Sequence, residues 1–147
     1  SLKQKDKIQI LLKSKYSDKE KKALYSTYIK NEQDTEYEIM NYANTDIDEY
    51  LKYKQQGFDS DYADNGTING KAISGSKQRK VYEYINSAKM TYEQKLLLLG
   101  MQYKLTSGER STLAKYVDTL NITSDEKLKV YKKIKGFTVY KNGKVSW

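Results

Sequence analysis

Apolar residues recur along this chain at helical spacing over most of its length. Val81, Tyr84, Ile85 and Ala88 fall at i, i+3, i+4 and i+7, and Leu113, Tyr116, Val117 and Leu120 repeat the figure. The pattern predicts helices over 4–14, 18–31, 34–43, 46–56, 78–88, 92–104, 107–119 and 124–135. Each is short, and a helix of roughly 12–15 residues is marginal in water by itself. Their stability must come from packing against one another.

The polar positions mark where these helices begin. Ser17/Glu20, Thr91/Gln94, Thr106/Glu109 and Thr123/Glu126 have capping-box spacing, and Thr45 with Asp48 is a degenerate fifth. In such a box the hydroxyl accepts from the N3 amide while the acid or amide side chain reaches back to the cap amide. The residue before each cap (Tyr16, Met90, Leu105, Ile122) is expected to turn inward and pin the link. These signals recur with a period. Val81–Leu98 aligns with Leu113–Val130 at a shift of 32, pairing Tyr84 with Tyr116, Ile85 with Val117 and Thr91 with Thr123. A looser copy runs through Ile10, Leu11, Tyr16, Ser17, Lys21 and Leu24 at a shift of 74. A period of this length marks stacked supersecondary units, here helical hairpins.

Two segments depart from helical spacing. The stretch 57–76 is rich in Gly, Asp, Asn and Ser, and holds Asn69-Gly70 between two short apolar runs. The last residues, 137–147, alternate as strands do around Asn142-Gly143, which predicts a hairpin closed by a type I′ turn. That turn would set Tyr140 opposite Val145 and Thr138 opposite Trp147. A lone hairpin is marginal, so the two hairpins pair with each other or the last docks its Trp on the helices. The fold class expected is mainly α, repeated short helical hairpins with one or two small β-hairpins. Its parts are a helical region 1–56, a linker 57–76, helical repeats 77–136 and a β-hairpin tail 137–147.

Composition narrows the chemistry. The 147 residues contain no Cys and no His. Disulfides, thiolate nucleophiles, the commonest general base and the commonest metal ligand are therefore absent. No constellation of carboxylates, Lys or Tyr stands out in their place, and the chain is expected not to be an enzyme and to carry no cofactor. The longest apolar run, Leu96–Leu99, is four residues, far short of a membrane span. Fifteen tyrosines supply apolar bodies with polar tips to a core that has few aliphatic residues.

The net charge of +8 is not spread evenly. From Lys127 onward there are seven lysines and no acid, which leaves 20 basic against 19 acidic groups elsewhere. An N-terminal basic arm, Lys3 to Lys22, is offset by the acidic stretch Glu32 to Asp64. The cations are 25 Lys and two Arg, Arg79 and Arg110, whereas phosphates and base edges favour the bidentate fork of Arg. Solvated lysines on helix faces are the plainest reading of the charge.

Three sites invite a chemical reading. Asp59-Ser-Asp61-Tyr-Ala-Asp64 has the flavour of a calcium loop but lacks the third ligand spacing and the closing Glu, so no metal is expected. Asn65-Gly-Thr67 and Asn121-Ile-Thr123 match the glycosylation sequon, which matters only in a secreted eukaryotic protein. The aromatics among the tail lysines could stack single-stranded bases, although core packing and ordinary strand alternation account for them as well. The interaction candidates are Lys127, Lys129, Lys132, Lys133, Lys135, Tyr140, Lys141, Lys144 and Trp147.

The segments Gly70-Lys-Ala-Ile-Ser-Gly-Ser76, Lys77–Asn86, Tyr92-Glu-Gln-Lys95 and Gly136-Phe-Thr-Val-Tyr140 carry a family resemblance. Over about the last 80 residues, and more loosely the first 30, the chain resembles C-terminal helical regions of tail tape-measure and other large minor structural proteins. Those proteins belong to tailed phages of low-GC Gram-positive bacteria. The shared positions are caps and core residues. The resemblance therefore implies a fold and a setting rather than a reaction: a terminal domain of a virion protein, met in the virion or in the bacterial cytoplasm during assembly. A first residue of Ser rather than Met agrees with a fragment of a longer protein. The function expected is a structural and protein-interaction module that contacts other tail subunits, or further copies of itself. A nucleic-acid binder using the basic tail and a phage-encoded inhibitor of a host protein are the alternatives.

Overall fold

The computed structural model describes residues 3–30, 35–58, 66–68, 71–73 and 76–147. They form a mainly helical chain. The elements are α1 (Gln4–Lys13), α2 (Asp18–Leu24) continued by a π-helical turn (Tyr25–Ile29), α3 (Thr35–Tyr42), α4 (Ile47–Phe58), β1 (Gly66–Ile68) and β2 (Lys71–Ile73). They continue with α5 (Ser76–Ser87), α6 (Tyr92–Gln102), α7 (Ser107–Thr119), α8 (Ser124–Lys133), β3 (Thr138–Val139) and β4 (Val145–Ser146). The expected helices are all present, with ends shifted by a few residues. The strands β1 and β2 flank Asn69-Gly70, which lies outside the described residues, as does Asp59–Asp64.

All four capping boxes form with both hydrogen bonds. At Thr123 the cap amide donates to Glu126 Oε1 at 2.9 Å while the Glu126 amide donates to Thr123 Oγ1 at 3.2 Å. The fifth, Thr45 with Asp48, does not form. Asp46 takes the capping role one position later, accepting from the Asp48 amide at 2.8 Å and the Glu49 amide at 3.2 Å. Asp is a stronger cap than Thr and its negative charge is favoured at a helix start, so it displaces the hydroxyl beside it. The hydroxyl of Thr45 is buried and has no hydrogen-bond partner among the described residues. Only one of the four residues preceding the caps, Leu105, is fully buried; Met90 and Ile122 are half-buried and Tyr16 is exposed.

The chain divides into two compact units, Ser1–Ile68 with Ala72–Lys89, and Met90–Trp147 with Asn69–Lys71. The boundary falls inside the sequence repeat, between α5 and α6. Equivalent positions nonetheless have equivalent surroundings. Ile85 and Val117 are both fully buried, as are Leu98 and Val130. Near the end of α5 the Ser87 hydroxyl donates to the Tyr84 carbonyl, as the Thr119 hydroxyl donates to that of Tyr116 at the end of α7. The period thus encodes how each helix starts, ends and faces its core.

In the N-terminal unit α4 is the hub, packed by α1, α2 and α5. Its buried side is aromatic. Tyr25, Tyr37, Tyr50 and Tyr53 form a cluster, with Tyr25 stacked on Tyr37 at 4.5 Å and edge-on to Tyr50 at 5.6 Å. Buried phenols need partners, and the Tyr37 hydroxyl donates to the Lys22 carbonyl at 3.2 Å. In the C-terminal unit α6 packs on α7, α7 on α8, and α8 on β3. The core is aliphatic there: Leu96, Leu97, Leu98, Leu113, Val117 and Val130 are at most 1% exposed.

Candidate protein-interaction surface

The C-terminal hairpin differs in register from the sequence expectation. Thr138 pairs with Ser146 and Val139 with Val145. A type I′ turn needs positive φ at both central residues, but Asn142 does not adopt it and Gly143 does, at +86°. The loop is therefore three residues long. The Tyr140 amide donates to the Lys144 carbonyl at 2.8 Å and the Gly143 amide to the Tyr140 carbonyl at 3.0 Å. The Lys144 amide donates to Asn142 Oδ1 at 3.0 Å, which holds Asn142 short of the left-handed region. The two hairpins form separate two-stranded sheets and do not pair with each other.

This register sorts the side chains. Phe137, Val139, Val145 and Trp147 share one face, and Thr138, Tyr140 and Ser146 the other, where the Tyr140 and Ser146 hydroxyls lie 3.3 Å apart. On the apolar face Phe137 stands between Tyr131 of α8, 5.1 Å away, and Trp147, 5.5 Å away. The last hairpin thus stacks its Trp on Phe137, which in turn meets Tyr131 of α8. Tyr131 is buried and donates to the Ala114 carbonyl at 3.2 Å and to Asp118 at 3.3 Å. Burial and the Asp118 carboxylate push its phenol up to about 12. The inner end of this aromatic ladder is therefore fixed, while its outer end, Trp147, remains 51% exposed.

The candidate lysines lie on α8, just after it and at the hairpin turn. Lys129, Lys132 and Lys133 occupy the exposed stripe of α8 at i, i+3 and i+4; Lys135 follows the helix, and Lys141 and Lys144 flank the turn. Lys127 is more enclosed and donates to the Asp118 carbonyl at 3.1 Å. Lys132, Lys133, Lys135, Lys141 and Lys144 have no ion pair among the described residues. Tyr140 is 52% exposed.

Arg110 contributes a support that sequence reasoning missed. Its guanidinium donates to the Leu105 carbonyl, and its Cδ lies 3.0 Å from where a Cβ on Gly136 would sit. Gly136 has φ of +89°. The arginine therefore ties the α6–α7 link to the turn that leads into β3. A glycine just past the end of α8 was the available signal.

The N-terminal unit holds the most perturbed polar pair. Glu49 on α4 is 8% exposed and accepts from the Tyr84 hydroxyl of α5. Desolvation, then this hydrogen bond, then the Glu49 and Asp46 charges drive the Tyr84 phenol far above its ordinary value. A phenol locked in its neutral form is a clamp between helices. Among the described residues no group of three or more acidic side chains could hold a metal, and no helix is long and apolar enough to cross a membrane.

No family model, curated protein or solved structure matches this chain.

Proposed function

We propose that the chain is a non-catalytic structural and protein-interaction module that docks a partner through its C-terminal unit. The observation that carries this reading is the half-exposed Trp147, stacked on Phe137 and through it on the buried Tyr131. A rigidly backed aromatic anchor with a charged rim is the composition of an interface hot spot. A base-stacking platform wants a run of open ring faces. Here Phe137 is held between two rings, which leaves the indole as the one large open face on that side of the hairpin.

The resemblance to phage tail proteins supplies the setting, a contact between subunits of a virion. Lysine-directed cross-linking of purified tail particles tests both parts. The expected result is this chain, or a longer protein containing it, in the particles, with cross-links from the Lys132–Lys144 region to another subunit. Its absence from the particles removes the virion setting. Its presence with that region unlinked, while other lysines are linked, removes the docking surface.

A further inference from the structure

The acids and bases of the two units are disposed differently. In the N-terminal unit the acids of α3 and α4 are matched by the unit's own lysines. Lys21 meets Asp48 at 2.7 Å, Lys30 meets Glu38 at 3.0 Å, Lys54 meets Glu36 and Lys52 meets Glu49, both at 3.6 Å. Most of these pairs tie one element to another, and Lys21 is 5% exposed. That charge is absorbed into the fold.

At the end of the chain Lys132, Lys133, Lys135, Lys141 and Lys144 have no ion pair among the described residues. The 21 residues from Lys127 hold seven lysines and no acid, and like charges at i, i+3 and i+4 on α8 repel one another. The helix C-terminus offsets part of this for the last turn. Nothing on the hairpin offsets it for Lys141 and Lys144. Lys132 and Lys133 are exposed on the helix whose Tyr131 backs Phe137 and Trp147, and Lys141 and Lys144 are exposed at the hairpin turn.

We propose that the partner of this surface is a protein face rich in Asp and Glu, with Lys132, Lys133, Lys141 and Lys144 supplying the complementary charge. The proposal rests on the docking surface argued above. Lysine is a compact point charge that follows scattered carboxylates without a fixed fork. Complementary rim charge of this kind acts on encounter rate and partner choice, while the aromatic anchor supplies contact area.

The test uses the whole chain with poly-L-glutamate as the probe and Trp147 fluorescence as the readout. Binding should weaken steeply between roughly 50 and 200 mM salt. Replacing Lys132, Lys133, Lys141 and Lys144 with Gln should weaken it about tenfold or more, for four lost contacts with a polyanion. The same replacement at Lys3, Lys13, Lys15 and Lys19, exposed in the N-terminal unit, should change it little. An equal loss in that control overturns the proposal, because net charge alone would then explain binding. Tighter binding of a DNA duplex of matched charge overturns it in favour of nucleic acid. If Trp147→Ala leaves the particle cross-links intact while the lysine dependence persists, the aromatic anchor fails and the acidic partner stands.

Discussion

Ile134 fills the space a side chain on Gly100 would need: its Cγ2 lies 2.8 Å from where a Cβ on Gly100 would be. The Lys135 amide donates to the Gly100 carbonyl at 2.8 Å, so the end of α8 is bonded directly to the backbone of α6. Gly100→Ala would ordinarily gain about 1 kcal/mol of helix propensity. Ile134 is β-branched and 2% exposed, so it cannot yield cheaply. Overpacking costs about 1–3 kcal/mol, and the substitution should lower the stability of the C-terminal unit by up to about 2 kcal/mol net. Urea denaturation followed by Trp147 fluorescence measures it; a gain in stability would contradict the close contact.

The Tyr84–Glu49 clamp gives a pH dependence of definite sign. Tyr84 has a raised folded-state pKa, so the native state keeps its proton where the unfolded chain loses it. Its contribution is fully present below the unfolded value of about 10 and declines as pH rises past it. Tyr131, pushed up to about 12, adds to the same decline between about 10 and 12. Denaturant titrations across that range should show falling stability, and Tyr84→Phe should flatten part of the slope. At neutral pH the same substitution leaves a buried carboxylate short of a donor, at about 1–3 kcal/mol.

Each capping box should contribute separately. Thr106→Ala and Thr123→Ala remove the hydroxyl that accepts from the N3 amide and should each cost about 1 kcal/mol. The double substitution should cost nearly the sum, since separate helix starts share no partner. Thermal melts followed by circular dichroism would show it, and a strong departure from additivity would mean that the caps are coupled.

Gly143→Ala tests the hairpin register. At φ of +86° an L side chain is strained by about 1–2 kcal/mol. That is enough to loosen a hairpin whose strands are two residues long. Trp147 should then leave Phe137 and its emission should shift to the red, while helical circular dichroism stays unchanged. Unaltered emission would mean that the stack does not depend on this turn.

What was legible in the sequence is what is local. The helices and four of their caps follow from residues three or four apart, and the eight helices among the described residues were placed from apolar spacing and capping pairs. Asp46 displaced Thr45 because two acceptors stood side by side and the pattern could not rank them. Asn142-Gly143 marked the turn but not its length, which depends on whether the Asn142 oxygen binds the Lys144 amide. Of the surface, the lysines and Trp147 were visible as a run. The Phe137 ladder required the register, and the Arg110 brace joins residues 26 apart, beyond any periodicity. Glu49 and Tyr84 are 35 residues apart, and the repeat that flagged Tyr84 said nothing of its partner.

The wide turn after α2 has a consequence of its own. Where the Lys30 amide reaches back five residues to the Tyr25 carbonyl, the helix accommodates one residue more than an α-helix of the same reach. It does so while burying both Tyr25 and Ile29. A helix with such a widened turn can lose one residue there by tightening to regular geometry, instead of displacing the caps and links on either side. Loss of one residue between Tyr25 and Ile29 is therefore expected to disturb the fold less than loss of one at its tightly capped helix starts.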